Sequence, residues 1–161
     1  MDVVEIAHHL DLAPMLARWH VDEWQHLYRD WDYDSALAEL HAMDVAGRVP
    51  TTWIAFAGAG RDPRDVMGSV SLIEDDELDG FRHITPWLAS LYVTPAHRGR
   101  GLGSLLVRHV VDQARAMGIE RVHLFTAGQT DFYRALGWRT IAHADAHGEV
   151  ADVMVHDTDP T

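Results

Sequence analysis

Six consecutive residues in the second half of the chain, Arg98-Gly99-Arg100-Gly101-Leu102-Gly103, have the types and spacing to bind a charged ligand. They follow the apolar run Leu88-Ala89-Ser90-Leu91-Tyr92-Val93 and the link Thr94-Pro95-Ala96-His97. They lead into a segment whose apolar side is Leu102, Leu106, Val110 and Ala114, a helical spacing. A strand, a glycine turn and a helix start leave backbone N–H groups unpaired, and the helix dipole adds about half a positive charge there. Glycine at alternate positions removes Cβ atoms, so an anion reaches the backbone. The chemistry is anion binding, of the kind a phosphate group receives. A dinucleotide fingerprint G-x-G-x-x-G is not met, because Gly99 and Gly101 fit but Ser104 stands at the third glycine position. The phosphate loop of NTPases is not met either, since no Lys follows. What remains is R-x-x-G-x-G, carried by Arg98, Gly101 and Gly103, a pattern that a tight strand-to-helix turn also produces.

The second chemical candidate is Tyr133. It lies in Phe132-Tyr133-Arg134-Ala135-Leu136-Gly137-Trp138, preceded by the strand-like Val122-His123-Leu124-Phe125-Thr126. A phenol with pKa near 10 stays protonated at neutral pH and can give a proton to a leaving group. Val93 to Gly103 resembles the acetyl-CoA motif of the Gcn5-related N-acetyltransferase (GNAT) superfamily, and Val122 to Trp138 resembles that family's next motif, in the same order. The resemblance covers roughly Ile84 to Arg139; before it, only the order of elements matches.

The resemblance implies acetyl-CoA as donor and CoA as product, with no metal. It places the pyrophosphate on the backbone of Arg98, Gly99, Arg100, Gly101, Leu102, Gly103 and Ser104. It places the pantetheine arm along Leu91, Tyr92 and Val93, with Phe132 and Tyr133 beside it. Many members hold that arm with an Asn after the fifth strand; here Ala127-Gly128-Gln129-Thr130 has none, and Gln129 is the substitute. Tyr133 becomes the general acid that protonates the leaving thiolate. Many members also carry a glutamate base on the strand before the glycine loop, but Pro86 to Val93 contains no carboxylate. The base candidates are therefore Glu23, Glu74, Asp75 and Asp152, or one of them acting through water.

In this family the first two helices and the hairpin after the third strand shape the acceptor site. Those stretches and their neighbour supply Trp24, Trp31, Asp75 and Trp87 as acceptor-binding candidates. Aromatic rings cover, and carboxylates bind, ammonium groups. The expected acceptor is a small polycationic amine, with an aminoglycoside-type antibiotic as leading example and direct transfer in a ternary complex. The same motifs also resemble a eukaryotic branch that acetylates protein N-termini, which leaves protein or peptide acetylation as an alternative. A non-catalytic acyl-CoA-binding regulatory module is a third reading, and an intact Tyr133 argues against it.

The elements that must position these residues follow from pattern. Val3 to Ile6 reads as a strand, Leu12 to Leu27 as a helix with Pro14 in its first turn, and Ser35 to Val45 as a second helix. Strands follow at Thr51 to Ala57, Val66 to Glu74 and Ile84 to Val93, with an acidic loop from Glu74 to Gly80. Gly103 to Met117 is a helix, Val122 to Phe125 a strand and Thr130 to Leu136 a short helix. Trp138 to Ala142 and Val150 to Val155 pair across a turn. The order reads βααββββαβαββ, an α/β (α+β) fold. The resemblance makes the sheet mixed and mostly antiparallel, of six or seven strands, flanked by about four helices, with a splayed pair of central strands.

Composition bounds the rest. The 161 residues suit one domain, 1–161, and there is no Cys for a disulfide, a zinc-thiolate site or a thiol nucleophile. With 13 Lys+Arg against 25 Asp+Glu, the net charge is −12, which disfavours nucleic acid and favours a cationic partner. Twelve His include no H-E-x-x-H helix, so no catalytic metal is expected. No apolar run reaches the ~20 residues of a membrane span, and the N-terminus lacks a signal-peptide pattern, so a cytoplasmic location is the expectation. Members of the resembled family are often dimers, which leaves a homodimer open.

Overall fold

The computed structural model describes residues 1–159. Its strands are β1 (Asp2–Glu5), β2 (Thr51–Phe56), β3 (Val66–Ile73), β4 (Trp87–Val93), β5 (Arg121–Thr126), β6 (Arg139–Ala146) and β7 (Glu149–Asp157). Its helices are α1 (Ala13–Trp24), α2 (Tyr33–His41), α3 (Leu102–Ala116) and α4 (Thr130–Ala135). All seven strands form one sheet in the order β1-β2-β3-β4-β5-β7-β6. Every neighbouring pair is antiparallel except β4 and β5. No helix among the described residues is long and apolar enough to cross a membrane.

The sheet is covered on both faces. From β2, Ile54 and Phe56 face Leu16, Ala17 and Val21 of α1 and Leu40 of α2, while Trp53 and Ala55 face the other side and α3. That explains why all six β2 residues are buried and why the strand reads as a continuous β-branched and aromatic run. α3 lays Leu102, Leu106, Val110 and Ala114 on the sheet, as its spacing predicts. α2 begins two residues before the predicted Ser35, because the Asp32 side chain caps it by accepting from the Ser35 N–H at 2.9 Å. α1 stops at Trp24, and Gln25–Leu27 continue as a single 3₁₀ turn.

The three strands named between α2 and α3 are all present, where the element order counted four. Residues 74–86 form a loop, fixed by burial of Leu78 with Phe81 and Ile84 against Trp87 and Val153 rather than by strand pairing. β4 therefore starts at Trp87, after Pro86, which has no N–H for a ladder.

Two irregularities in β4 shape the molecule's centre. Ser69 pairs with Tyr92 and Ser71 with Ala89, so Ser90 and Leu91 oppose the single residue Val70. This is a β-bulge, and Ser90 sits at φ +53° within it. On the other side, β4 and β5 share only the register pair Trp87–His123, after which the strands diverge. The predicted splay of the central strands is present.

Candidate active site

The glycine loop closes against the end of β4. Thr94 N–H donates to Met67 O at 2.8 Å, Thr94 Oγ1 and His97 Nδ1 lie 2.7 Å apart, and Arg98 Nε donates to Val93 O at 2.9 Å. Gly99 and Gly101 have φ of +74° and +81°, a conformation that only glycine adopts cheaply. Gly101 is the N-cap of α3 and offers no side-chain acceptor, so the first-turn N–H groups of α3 face out unsatisfied by any cap. Gly103 is different: a Cβ there would meet Phe132 Cζ at 3.6 Å, ordinary contact, and its φ is helical. The protein itself does not require glycine at 103, whereas a phosphate on the backbone would. Val93, Arg98, Gly99, Gly101, Gly103 and Phe132 surround a hollow of about 320 Å³, with Leu102 and Ser104 completing its wall. The residues present therefore fit a pyrophosphate.

Gly68, not singled out by the sequence, underlies this geometry. A Cβ on it would lie 2.5 Å from Tyr92 O, so β3 approaches the end of β4 only because residue 68 has no side chain. The Tyr92 ring is held away from the hollow. It stacks on Trp19 at 5.5 Å and meets Trp24 edge-on at 6.2 Å, with Arg98 Cζ 5.8 Å from its centroid. Tyr92 lines neither the hollow nor the larger cleft beside it.

The splay between β4 and β5 opens a larger cleft of about 690 Å³. Ser90 and Leu91 of β4, Phe125 and Thr126 of β5, and Tyr133 of α4 line its inner part. Tyr133 is buried, makes edge contacts with Phe132 at 4.9 Å and Trp138 at 6.0 Å, and among the described residues its hydroxyl has no hydrogen-bond partner. Burial pushes the phenol up to about 12, which keeps the proton on it. Leu91 faces the cleft and Val93 the hollow, so one strand joins the two spaces.

The outer part of the cleft is acidic and aromatic. Trp24, Tyr28 and Trp31 form one wall, and Glu39, Glu74, Asp75, Asp76 and Glu77 come from α2 and the loop after β3. The β6–β7 turn adds His147 and Glu149, with the His147 ring 4.5 Å from Tyr28. Trp31 Nε1 donates to Glu39 Oε1 at 3.2 Å. Asp75 is bound by Arg82 at 3.0 and 2.7 Å, which holds its carboxyl below the usual range. Asp76 has no such cation. Its residue is half-buried but its carboxyl is enclosed, and burial together with Glu77, Asp75 and Glu39 pushes it up to about 7. His20, buried beneath the cleft, lies 3.3 Å from Ser69 Oγ, and desolvation lowers it to about 4.

The predicted site residues divide by place. The loop residues other than Arg100 come together with Val93 and Phe132 around the hollow, and Leu91, Tyr133, Trp24, Trp31, Glu74 and Asp75 come together in the cleft. Trp87 does not belong with them: it is 1 % exposed, its indole N–H donates to Ile84 O at 2.8 Å, and it packs on His123. Its reading as an acceptor wall is corrected to a core residue. Gln129 and Arg100 are exposed and line neither space. Glu23 is outside both, 3.9 Å from Arg98. Asp152 is occupied elsewhere: it accepts from Thr130 Oγ1 at 2.5 Å and meets His143 Nδ1 at 2.6 Å, and these contacts keep its carboxyl low. The residues that sequence reasoning missed are Gly68, Tyr28, Glu39 and His20, and Asp76 was not distinguished from its acidic neighbours. Among the described residues no group of three or more His, Asp or Glu is arranged to hold a metal ion.

Comparison with known proteins gives the same outline. The model of the acetyltransferase (GNAT) family matches residues 13–138. An L-amino acid N-acyltransferase, MnaT, of Escherichia coli is 40% identical over 97 residues, covering 60% of this chain and 49% of that protein. An L-methionine sulfoximine/L-methionine sulfone acetyltransferase of Salmonella typhimurium is 40% identical over 63 residues, covering 39% of this chain and 34% of its own length. The chain thus spans between a third and a half of these curated relatives. Among solved structures, an aminoglycoside 6'-N-acetyltransferase complexed with coenzyme A superposes with a TM-score of 0.74 at 16% identity, covering 100% of this chain and 99% of that one. The aminoglycoside 6'-N-acetyltransferase from Enterococcus faecium gives 0.72 at 16% identity, with the same coverage. These two likenesses are likenesses of fold.

Proposed function

The chain belongs to the acetyltransferase (GNAT) family, and on that premise we propose that it moves an acetyl group from acetyl-CoA to a primary amine of a small polycationic acceptor, directly and in a ternary complex. An aminoglycoside-type antibiotic is the leading acceptor. The observation that carries the acceptor class is the charge of the cleft. Five carboxylates of α2 and the loop after β3 face it, no arginine lines it, and the chain contains no lysine. An amino acid acceptor brings a carboxylate of its own, which needs a cation or hydrogen-bond donors to be taken from water. Desolvation keeps His20, the histidine beneath the cleft, neutral at neutral pH.

The hollow at the α3 N-terminus would hold the pyrophosphate through main-chain N–H groups, with Arg98 beside it. Acetyl-CoA, when bound, supplies an activated thioester. The bulge at Ser90–Leu91 breaks the β3–β4 ladder, and a backbone N–H between Leu91 and Val93 would polarise the thioester carbonyl. An alkylammonium of pKa about 10.4 costs about 4–5 kcal/mol to deprotonate at pH 7. Fixing the amine at the splay offsets much of that through positioning. Tyr133 would give its proton to the leaving thiolate. Of the sequence's base candidates, Glu74 lines the cleft with Asp75, whose carboxylate is committed to Arg82; Glu74 is the one left to accept the amine proton, directly or through water.

The test is CoA-thiol release from acetyl-CoA with kanamycin, spermidine, butylamine and an N-terminal peptide. Turnover is expected on kanamycin or spermidine. No turnover on any polycation overturns the acceptor class; none on any amine overturns acetyl transfer.

A further inference from the structure

The acidic part of the cleft is electrostatically incomplete. Asp76 lies among Glu77, Asp75 and Glu39, and these like charges all act on it. Tyr28 stands in the same group: burial first, and then Asp76, Glu77 and Glu39, raise its phenol to about 12. Arg82 neutralises Asp75 alone; among the described residues Glu39, Asp76, Glu77 and Glu149 have no ion-pair partner. Glu39, Glu77 and Glu149 are exposed and Asp76 is half-buried; a partly buried carboxylate among like charges is costly unless a ligand supplies the opposite charge or a proton neutralises it.

The position is also informative. Ile73 pairs with Trp87, so the loop bearing Asp76 leaves the sheet at the start of β4. The glycine loop leaves at the other end, after Val93. Six residue steps of strand separate them, about 20 Å. The thioester would lie between them, at the Ser90–Leu91 bulge, three to four strand steps or about 10–13 Å from Trp87.

From this arrangement we infer that Asp76, with Glu39 and Glu77, forms a second ammonium subsite, which holds an amine of the acceptor other than the one acetylated and loses a proton on doing so. The inference rests on the reading of the cleft as the acceptor site. It restricts acceptors to polyamines long enough to put a second ammonium about 10–13 Å from the first, which lies at the splay. The bound ammonium supplies the missing cation, Asp76 ionises, and its proton leaves to solvent. Other titratable groups on the surrounding elements are Tyr28, His147 and Glu149 across the cleft and His20 beneath it.

The probe is spermidine, titrated calorimetrically into the CoA-bound protein in two buffers of different ionisation enthalpy. With Asp76 near 7 in the free protein, spermidine binding releases about 0.9 proton at about pH 6 and about 0.1 at about pH 8, and its affinity rises about tenfold between them. Asp76→Asn abolishes both effects, and His147→Gln keeps both. Glu77→Gln removes a like charge and moves the midpoint of the affinity change to lower pH, a readout that stands even if Asp76→Asn fails to fold. Proton release that persists in Asp76→Asn, an unmoved midpoint in Glu77→Gln, or spermidine binding without proton release overturns the subsite. Spermidine binding no tighter than butylamine overturns it as well. Thiol release with kanamycin or butylamine alongside any of these failures leaves acetyl transfer standing; no thiol release with any amine defeats the broader reading first.

Discussion

The hollow at the start of α3 and the cleft at the β4–β5 splay share a strand but are made of different material. The hollow is main chain: two left-handed glycines, a helix N-terminus without a side-chain cap, and the closely approached end of β4. The cleft is side chain: three aromatic rings, five carboxylates of α2 and the loop after β3, and the Tyr133 phenol. A main-chain anion site does not titrate, and it accepts the same phosphates whatever residues surround it. A side-chain cation site titrates and changes its ligand with each substitution. One fold can thus keep a fixed donor while its acceptors diverge.

The first way to break the comparison is at the point where the two spaces meet. Tyr133→Phe is expected to lower kcat by about a thousandfold, about 4 kcal/mol, while the dissociation constant of CoA stays within about twofold. An unchanged kcat would remove the acid role and leave Tyr133 as packing.

Acid should damage the acceptor side and spare the donor side. His20 has a folded pKa of about 4, below the usual 6.5, so the unfolded chain takes up the proton first. The stability that His20 leaves intact above pH 6.5 is lost as pH falls toward 4, by up to about 3 kcal/mol. Urea unfolding of wild type and His20→Gln at several pH values isolates this term: the stability of wild type minus that of the variant should fall steadily below pH 6.5. A constant difference would show that His20 is not desolvated.

The donor side is tested by adding a side chain where the protein tolerates one. Gly103→Val is expected to raise the acetyl-CoA KM about a hundredfold, about 2.7 kcal/mol, with no loss of urea stability. Gly68→Ala makes the contrast, since its Cβ would strike Tyr92 O; there stability falls, by about 1–3 kcal/mol. If Gly103→Val binds acetyl-CoA normally, the backbone cradle is wrong.

The smallest effect is expected at Asp152. It holds Thr130, the first residue of α4, and His143. Asp152→Asn should cost less than about threefold in kcat, because a hydrogen bond to Thr130 survives. A loss of a hundredfold or more would restore it as the base.

The same division explains what could be read from the sequence. Gly99, Gly101 and Gly103 are adjacent, so their spacing alone announces a strand, a turn and a helix start. Tyr133 was legible through its own short motif. The splay was not visible in any local pattern, since it depends on β4 and β5 keeping a single pair, Trp87–His123; it came only with the family resemblance. In the run Glu74-Asp75-Asp76-Glu77 four acids look alike, and Asp76 is singled out only when α2 brings Glu39 and the turn after α1 brings Tyr28. Trp87 and Trp31 look equally able to line a pocket, yet one is sealed by Ile84 and His123 and the other opens on the cleft. The strand expected from Ile84 starts only at Trp87, because Ile84 is buried against Trp87 from the loop and Pro86 has no N–H for a ladder.

The most direct test sets the two acceptor classes against each other in one tube. Spermidine and L-methionine are mixed at equal concentration with limiting acetyl-CoA, and the acetylated products are measured by mass spectrometry. Their ratio is the ratio of kcat/KM values. A cleft with carboxylates and no arginine predicts that N-acetylspermidine dominates by about a hundredfold or more. An excess of N-acetylmethionine would contradict the account, because a carboxylate would then have been accepted where the structure offers it no cation.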